Sequence, residues 1–357
     1  MSVQSLTAGT GDSVVASAGI LGGSGFVGGE LLRLLIGHPG FEVAWATSRD
    51  LAGRSVGHIH PNLREVPLRF GNPDDLEPVD VLFAAVPHGI TASMIDELLD
   101  VAEIVIDLSA DFRLADESSY EHWYGQPHPA PQYLDQAVYA LPEVNRDVIK
   151  GASLLATGGC NATVTILGLW PLVHGGVLQD ASHIVVDVKV GSSEGGARGG
   201  LASSHVERSG VVRPYAPTGH RHEAEIEMLL ETEVSFTAHA VDMVRGASAT
   251  CHVLQAEVPD AKYCWQLYRG AYEDEPFVRL QAGGGGIYRY PEAKVLAGSN
   301  MAEVGFEPDV DRLVVVSAID NMMKGSAGQA VHAANIALGF PETSGLDFLG
   351  LHPVGTP

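Results

Sequence analysis

Lysine is scarce in this chain of 357 residues: five of its 21 cationic residues are Lys, and the rest are Arg. The 44 Asp and Glu residues outnumber the cations, which gives a formal net charge of −23. Nucleic-acid phosphates and anionic membranes both require clustered cations, so the composition argues against either as a partner. Hydrophobic residues make up 45% of the chain, as in ordinary globular proteins, so the charge does not indicate disorder.

Long hydrophobic runs and cysteines are also lacking. No apolar run reaches the ~18 residues of a membrane span, and residues 1–13 lack the basic and then apolar pattern of a signal peptide. Three cysteines do not make a disulfide framework. We therefore expect a cytoplasmic protein in a reducing compartment.

The acidic excess has a physical interpretation of its own. Surface carboxylates hold water and cations, and at about 1 M salt the Debye length of roughly 3 Å screens their mutual repulsion. The charge therefore predicts a halophilic protein from a salt-rich cytoplasm. The alternative is an acidic enzyme from an ordinary cytoplasm.

Short apolar runs alternate with helical patterns in the first half of the chain, which is typical of βαβ units and a parallel sheet. After Gly158 the strands become longer and the helices fewer, which predicts a mixed second sheet. The expected class is α/β, with a Rossmann-type doubly wound parallel sheet and a mixed α+β catalytic and dimerisation domain. The predicted domains are 1–158 with 325–357, and 159–324. The predicted strands are 14–21, 42–47, 80–85, 103–108, 184–190, 234–241, 248–255, 277–280 and 312–319; the predicted helices include 92–99 and 325–338.

The spacing Gly22-x-x-Gly25-x-x-Gly28 lies between the first strand and its helix. Such glycines let the backbone approach a pyrophosphate at a helix N-terminus, which predicts a dinucleotide site.

The second strand ends in Ser48-Arg49-Asp50. A hydroxyl and a guanidinium suit the 2′-phosphate of NADP, while Asp50 keeps NAD as an alternative.

Cys160 follows a strand and two glycines, where a helix is predicted to begin. The helix dipole and the free N–H groups there are expected to lower the thiol pKa and to hold an oxyanion. Cys160 is therefore the candidate nucleophile. Cys251, in a strand, and Cys264, in an amphipathic helix, are expected to be buried small hydrophobes.

A nucleophilic thiol needs a proton carrier and an anion clamp. The window 195–222 holds four Arg and one Glu, a local excess of three positive charges that predicts a pocket for an anionic substrate. It also holds His205, His220 and His222, and we expect His220 or His222 to act as acid and base. No tight metal-ligand spacing is found there.

Seven segments together resemble the N-acetyl-γ-glutamyl-phosphate reductase family over nearly the whole chain. The most specific of them is the decapeptide 105–114. The resemblance implies NADPH-dependent reduction of an acyl phosphate to a semialdehyde through a cysteine thioester. The segments are 22–29, 47–49, 105–114, 140–143, 159–160, 219–222 and 324–330.

The chain departs from the usual family at the nucleophile. Gly159 and Asn161 replace a proline and an aromatic residue, and the sequence 191–196 differs as well. These segments are similar to the sister branch whose substrates, aminoadipyl phosphate or glutamyl phosphate, are carried on the acidic amino-group carrier protein LysW. That branch would place the chain in lysine or arginine biosynthesis.

The resemblance also implies roles for individual residues and a homodimer or homotetramer. Cys160 would attack the acyl phosphate, and His220 or His222 would move protons. Alternatives are a reductase of the acetylated substrate, an aspartate-semialdehyde dehydrogenase, and an NADP-sensing protein without chemistry. The implied substrate-binding residues are Arg113, Ser193, Arg208 and Arg213; the cofactor-binding residues are Gly22, Ser24, Gly25, Phe26, Val27, Gly28, Ser48, Arg49, Asp50, Asn321 and Lys324.

Overall fold

The computed structural model describes residues 15–179, 182–197 and 200–353, and the backbone alone at His205. Within these residues no helix is long and apolar enough to cross a membrane. Arg198, one of the four arginines counted in the cationic window, lies outside the described residues.

Seven strands of the first half form one sheet in which every neighbouring pair is parallel. In their order, β3-β2-β1-β4-β5-β7-β6, the chain progresses outward to one side from β1 and to the other side from β4, so the strand order reverses between β1 and β4, as in doubly wound folds. The strands are β1 (Ala16–Leu21), β2 (Phe41–Thr47), β3 (Phe70–Gly71), β4 (Val79–Ala84), β5 (Ala102–Asp107), β6 (Val138–Tyr139) and β7 (Leu154–Ala156).

Helices cover both faces of this parallel sheet. One face packs against the cofactor-loop helix and the last helix of the chain, and the other packs against helix α3 (Ile90–Val101). The final helix therefore returns to the first half, as predicted. The helices of this half are α1 (Phe26–Ile36), α2 (Val56–Ile59), α3 (Ile90–Val101), α4 (Glu117–Tyr124), α5 (Pro142–Ile149) and the returning α11 (Gly328–Leu338).

The second sheet has the order β12-β13-β14-β11-β8-β10-β9 and mixes parallel with antiparallel pairs. Its buried face packs on helix α6 (Cys160–His174), which is buried on nearly all sides. Its strands are β8 (His183–Val190), β9 (Val212–Tyr215), β10 (Val234–Val241), β11 (Ala247–Leu254), β12 (Val278–Leu280), β13 (Ala302–Pro308) and β14 (Arg312–Ile319). Its helices are α6 (Cys160–His174), α7 (His205–Arg208), α8 (His222–Leu230), α9 (Ala261–Tyr272) and α10 (Ala293–Leu296).

The predicted fold class is confirmed, and every predicted strand overlaps an observed one. The sequence pattern missed β3, β6, β9 and β13, and the longest of these, β13, contains Gly305 and ends in Pro308. A Cβ on Gly305 would lie 2.2 Å from the carbonyl oxygen of Gln281, so the strand needs glycine where another chain segment approaches its backbone.

Candidate active site

The structure needs glycine at the three motif positions of the cofactor loop for different reasons. Gly22 has φ +87°, and a Cβ on Gly28 would lie 2.5 Å from the Gly22 carbonyl oxygen, so both permit the tight strand-to-helix turn. A Cβ on Gly25 would meet nothing nearer than 3.8 Å. Gly25 is the helix N-cap and makes no side-chain cap, so the helix N-terminus is open above it. This geometry fits a pyrophosphate.

The end of β2 lies beside that loop. The hydroxyls of Ser24 and Ser48 are 2.8 Å apart, and Arg49 and Asp50 are exposed. Phe26 is 49% exposed at the start of α1, with Val27 half-buried behind it. The structure therefore brings the predicted residues of the loop and of the second strand together at one edge of the sheet.

The two other predicted cofactor residues lie elsewhere. Lys324 is fully buried, and its Nζ is 2.5 Å from the Glu143 carboxylate. This ion pair links the segment just before α11 to Glu143 on α5; the role of Lys324 in cofactor binding stays a prediction. Asn321 accepts from the Gly246 N–H at 2.7 Å and donates to Ser193 Oγ at 2.9 Å.

Helix α6 begins at Cys160, as predicted, and the turn before it is held by two buried side chains. The Gly158 N–H donates to Gln329 Oε1 at 2.7 Å, and the Gly159 N–H donates to Glu225 Oε2 at 2.8 Å. These two amides are therefore occupied and cannot serve an oxyanion. The first N–H group of α6 that bonds a backbone carbonyl of this turn is that of Thr163, to Gly159, so the N–H groups before it, from Cys160 to Ala162, face the start of the helix where an oxyanion would lie.

Two glycines let other groups approach the nucleophile. A Cβ on Gly325 would lie 2.6 Å from the Cβ of Cys160. A Cβ on Gly159 would lie 2.4 Å from Nε2 of His222 and 2.9 Å from the Arg113 guanidinium. The packing around position 159 explains why glycine stands there, because a bulkier residue would displace His222.

The thiol pKa of Cys160 differs from the prediction. The residue is partly accessible, but burial of the thiol raises its pKa to about 12, and the negative charge of Glu194 acts in the same direction. The Arg113 charge opposes both effects without overcoming them. The predicted lowering is wrong because loss of hydration outweighs the Arg113 charge and the Asn161 backbone N–H, which both favour the thiolate. Cys251 and Cys264 are fully buried, as predicted.

His220 and His222 lie together, with ring centroids 4.7 Å apart. Burial and the neighbouring Arg221 lower the pKa of His220 to about 4, and burial lowers that of His222 well below 6.5. Both rings are therefore neutral at pH 7. His220 Nδ1 accepts the His222 backbone N–H at 3.1 Å, which places the proton of the neutral His220 ring on Nε2.

A buried carboxylate that the sequence analysis missed organises this region. Glu225 is fully buried and accepts hydrogen bonds from the Tyr139 hydroxyl at 2.8 Å and from Arg113 at 3.1 Å, besides the Gly159 amide. Arg113 also donates to the Thr157 carbonyl at 2.9 Å. Arg113 therefore lies beside the nucleophile turn with its charge already paired.

The structure places Arg208 and Arg213, two arginines of the predicted anion-binding window, in different environments. Arg208 is 5% exposed and donates to the Val190 carbonyl at 2.6 Å and to Glu194 at 3.3 Å, so it supports that carboxylate. Arg213 lies on the same face of β9 as Tyr215 and donates to the Glu207 carbonyl. Glu194, which precedes the cationic window, thus offsets part of the positive charge predicted there.

Comparisons with known proteins agree with this geometry. A family model described as semialdehyde dehydrogenase, NAD binding domain, matches residues 17–152. A second, described as semialdehyde dehydrogenase, dimerisation domain, matches residues 160–321.

A curated relative and two solved structures were compared over most of the chain. A Haloarcula marismortui protein named LysW-L-2-aminoadipate/LysW-L-glutamate phosphate reductase is 65% identical over 343 residues, 96% of this chain and 99% of that protein. The crystal structure of aspartate semialdehyde dehydrogenase II from Vibrio cholerae has a TM-score of 0.69 at 17% identity, covering 90% of this chain and 98% of that one. The Candida albicans aspartate semialdehyde dehydrogenase with NADP has a TM-score of 0.64 at 17% identity, with the same coverage. At these identities the two structures show the shared fold.

Proposed function

This chain belongs to the semialdehyde dehydrogenase family, in its branch of LysW-linked aminoadipate and glutamate phosphate reductases, and we propose that it reduces such a carrier-linked acyl phosphate to the semialdehyde. The enzyme is an oxidoreductase with a nicotinamide cofactor. The observation that carries the mechanism is Cys160 at the start of α6, beside two neutral histidines and a paired arginine.

The thiol of Cys160 attacks the acyl carbon, the carbon–sulfur bond forms, and the bond to the phosphate oxygen breaks. The His222 ring is neutral and lies at the nucleophile turn, with its Nε2 2.4 Å from the position of a Cβ on Gly159, so we assign to this ring the uptake of the thiol proton. The Nε2–H of His220 is available to donate to the oxygen of the reacting carbonyl as the thioester is reduced. Amides of the first turn of α6 stabilise the oxyanion.

A bound NADPH would supply the hydride for reduction of the thioester, and the residues of the cofactor loop fit it. The open helix N-terminus above Gly25 would hold the pyrophosphate, with Ser24, Phe26 and Val27 around it. Ser48 and Arg49 would hold the 2′-phosphate, which is the reason to propose NADP over NAD. Comparable kcat/KM for NADPH and NADH would contradict this preference.

The substrate assignment is tested with three compounds: the LysW-linked aminoadipyl and glutamyl phosphates and the acetylated glutamyl phosphate. We expect turnover of one or both carrier-linked compounds and weak turnover of the acetylated one. Dominant turnover of the acetylated compound would favour an N-acetyl-γ-glutamyl-phosphate reductase instead. The two carrier-linked compounds differ by one methylene, worth only ~1–3 kcal/mol in a pocket, so one enzyme can serve both.

The nucleophile is tested in the reverse direction, by phosphate-dependent reduction of NADP⁺ with the semialdehyde. Cys160→Ser should abolish this reaction, and Cys251→Ser is the matched control because that thiol is fully buried in β11. Retained turnover in Cys160→Ser would contradict the thioester mechanism. His222→Asn should slow thioester formation, whereas His220→Asn should slow its reduction.

We propose a homodimer formed by the mixed sheet. The face of this sheet away from α6 is partly exposed, and Val185, His252 and Val314 form a row across β8, β11 and β14 there. The matching family model is described as a dimerisation domain. Light scattering of the purified protein tests the assembly, and a monomer at micromolar concentration would contradict it.

The domain division and the location are proposals of the same kind. We propose the division 1–158 with 325–357 and 159–324, which the boundary between the two family models, at 152 and 160, supports. We also propose a reducing cytoplasm, which the three free thiols support. Limited proteolysis tests the division, and fractionation of source cells tests the location.

A further inference from the structure

A continuous chain of polar contacts connects the Cys160 thiol to the carboxylate of Glu194. The Cys160 sulfur lies 3.6 Å from Asn161 Oδ1, to which its S–H donates, and Asn161 Nδ2 donates to the Tyr215 hydroxyl oxygen at 3.4 Å. Tyr215 in turn donates its O–H to Glu194 Oε2 at 2.8 Å. Arg208 holds the other carboxylate oxygen at 3.3 Å.

The members of this chain come from four parts of the structure and have little freedom to move. Asn161 is fully buried in the first turn of α6, and Arg208 is 5% exposed at the end of α7. Buried polar groups hydrogen-bonded in series polarise and orient one another. The Asn161 amide can present Oδ1 to the thiol because its Nδ2 is held by Tyr215. In that orientation the sulfur is a hydrogen-bond donor, which requires that it keep its proton.

The charges around the Cys160 thiol also favour its protonated form. The titratable groups that face it are Glu194, Arg113, Glu225, Tyr215 and His222. Tyr215 and His222 are neutral at pH 7, and the Arg113 charge is paired with Glu225. The Glu194 carboxylate is therefore the charge that most opposes a thiolate at Cys160, after burial itself.

We propose that Glu194 is a positioning residue that, through Tyr215 and Asn161, keeps the Cys160 thiol protonated and hydrogen-bonded in the free enzyme. The nucleophile is thereby protected from alkylating and oxidising agents until a substrate occupies the site and displaces the thiol from Asn161. This inference rests on the proposed role of Cys160. Its test uses thiol reactivity, which does not require turnover, so failure of the inference and failure of the proposed function are distinguishable.

The experiment measures the rate of iodoacetamide alkylation of Cys160 across neutral and alkaline pH, with the site identified by peptide mass spectrometry. Glu194→Gln should move the pH midpoint of alkylation downward and speed alkylation at a fixed pH below it, by about tenfold for a shift of one pKa unit. Glu194→Asp keeps the charge and should behave like the parent protein. Glu233→Gln removes an exposed carboxylate and is the matched control.

Two results would overturn the inference. One is an unchanged alkylation profile in folded Glu194→Gln; the other is a shift in Glu194→Asp as large as in Glu194→Gln. If Glu194→Gln does not fold, Tyr215→Phe replaces it. Loss of that hydroxyl releases Asn161 and removes a hydrogen bond that lowers the pKa of Glu194, so the midpoint should again move downward, and an unchanged midpoint would overturn the inference.

Discussion

The close packing of Gly325 against Cys160 allows a test of whether this contact fixes the position of the nucleophile. In Gly325→Ala the new methyl would start 2.6 Å from the Cβ and 3.1 Å from the Cα of Cys160, whereas ordinary contacts begin at 3.4 Å. Relief of the closer contact needs a displacement of about 0.8 Å, since 3.4 − 2.6 = 0.8. Neither contacting atom is at the end of a flexible side chain, so the backbone of one segment must move.

The expected consequence is larger for activity than for stability. Overpacking of this kind costs about 1–3 kcal/mol of folding free energy. A misplacement of ~1 Å at a reacting group can lower the rate by roughly 10²-fold. We therefore expect a folded Gly325→Ala enzyme whose kcat for NADPH oxidation is reduced by about two orders of magnitude.

Gly270→Ala is the matched control. Gly270 lies in the exposed part of helix α9, and a Cβ there would meet no atom within 4 Å. Because alanine favours helix, this variant should keep full activity and gain about 0.5–1 kcal/mol of stability. Initial rates and urea unfolding measure both variants. An unchanged kcat in folded Gly325→Ala would refute the argument that this packing fixes the nucleophile.

Four further outcomes are expected. Arg49→Ala should raise KM for NADPH by roughly tenfold to 100-fold and leave NADH kinetics nearly unchanged, because a charge-assisted hydrogen bond is worth ~1.5–3 kcal/mol; equal effects on both cofactors would contradict the 2′-phosphate role. Lys324→Met should lower the free energy of unfolding in urea by about 3–5 kcal/mol, because Glu143 stays buried without its partner. The pKa of His220 is lowered from 6.5 to about 4, so between these pH values the unfolded chain binds a proton that the folded chain does not. The free energy of unfolding should therefore fall as the pH falls from 6.5 to 4, by up to about 1.4 kcal/mol per pH unit. His220→Asn should reduce that slope. Raising KCl to about 1 M should raise Tm and carrier-linked turnover, because the Debye length falls to ~3 Å; a steep fall of turnover would count against an acidic carrier.

Local patterns predicted the parallel sheet and the cofactor loop because both depend on residues close together in the chain. The spacing of Gly22, Gly25 and Gly28 carries its own geometric reason, and the apolar runs around it have strand length. The helix that begins at Cys160 follows from the same kind of pattern.

The rest of the site depends on partners far apart in sequence. Glu225 binds the Gly159 amide across 66 positions, and Gln329 binds that of Gly158 across 171. No spacing rule identifies such acceptors. The thiol pKa of Cys160 was predicted with the wrong sign because hydration is lost through tertiary packing, which the helix-terminus argument does not include.

The partner of Lys324 depends on long-range contacts in the same way. A cation beside a family motif suggests a ligand contact, but the sequence does not show that Glu143, 181 positions earlier, is buried opposite it. Once both groups leave water, each charge is neutralised by the other.

The contacts that Gln329 and Gly325 make with Gly158 and Cys160 also determine at which stage of its synthesis the enzyme can become active. Gln329 and Gly325 lie near the end of the chain, yet they hold Gly158 and pack on Cys160. A ribosome that has completed both sheets has still not supplied these contacts. A nascent chain thus acquires its reactive centre only after its last helix has emerged and docked, and a product truncated before that helix would carry the cysteine without a fixed position for it.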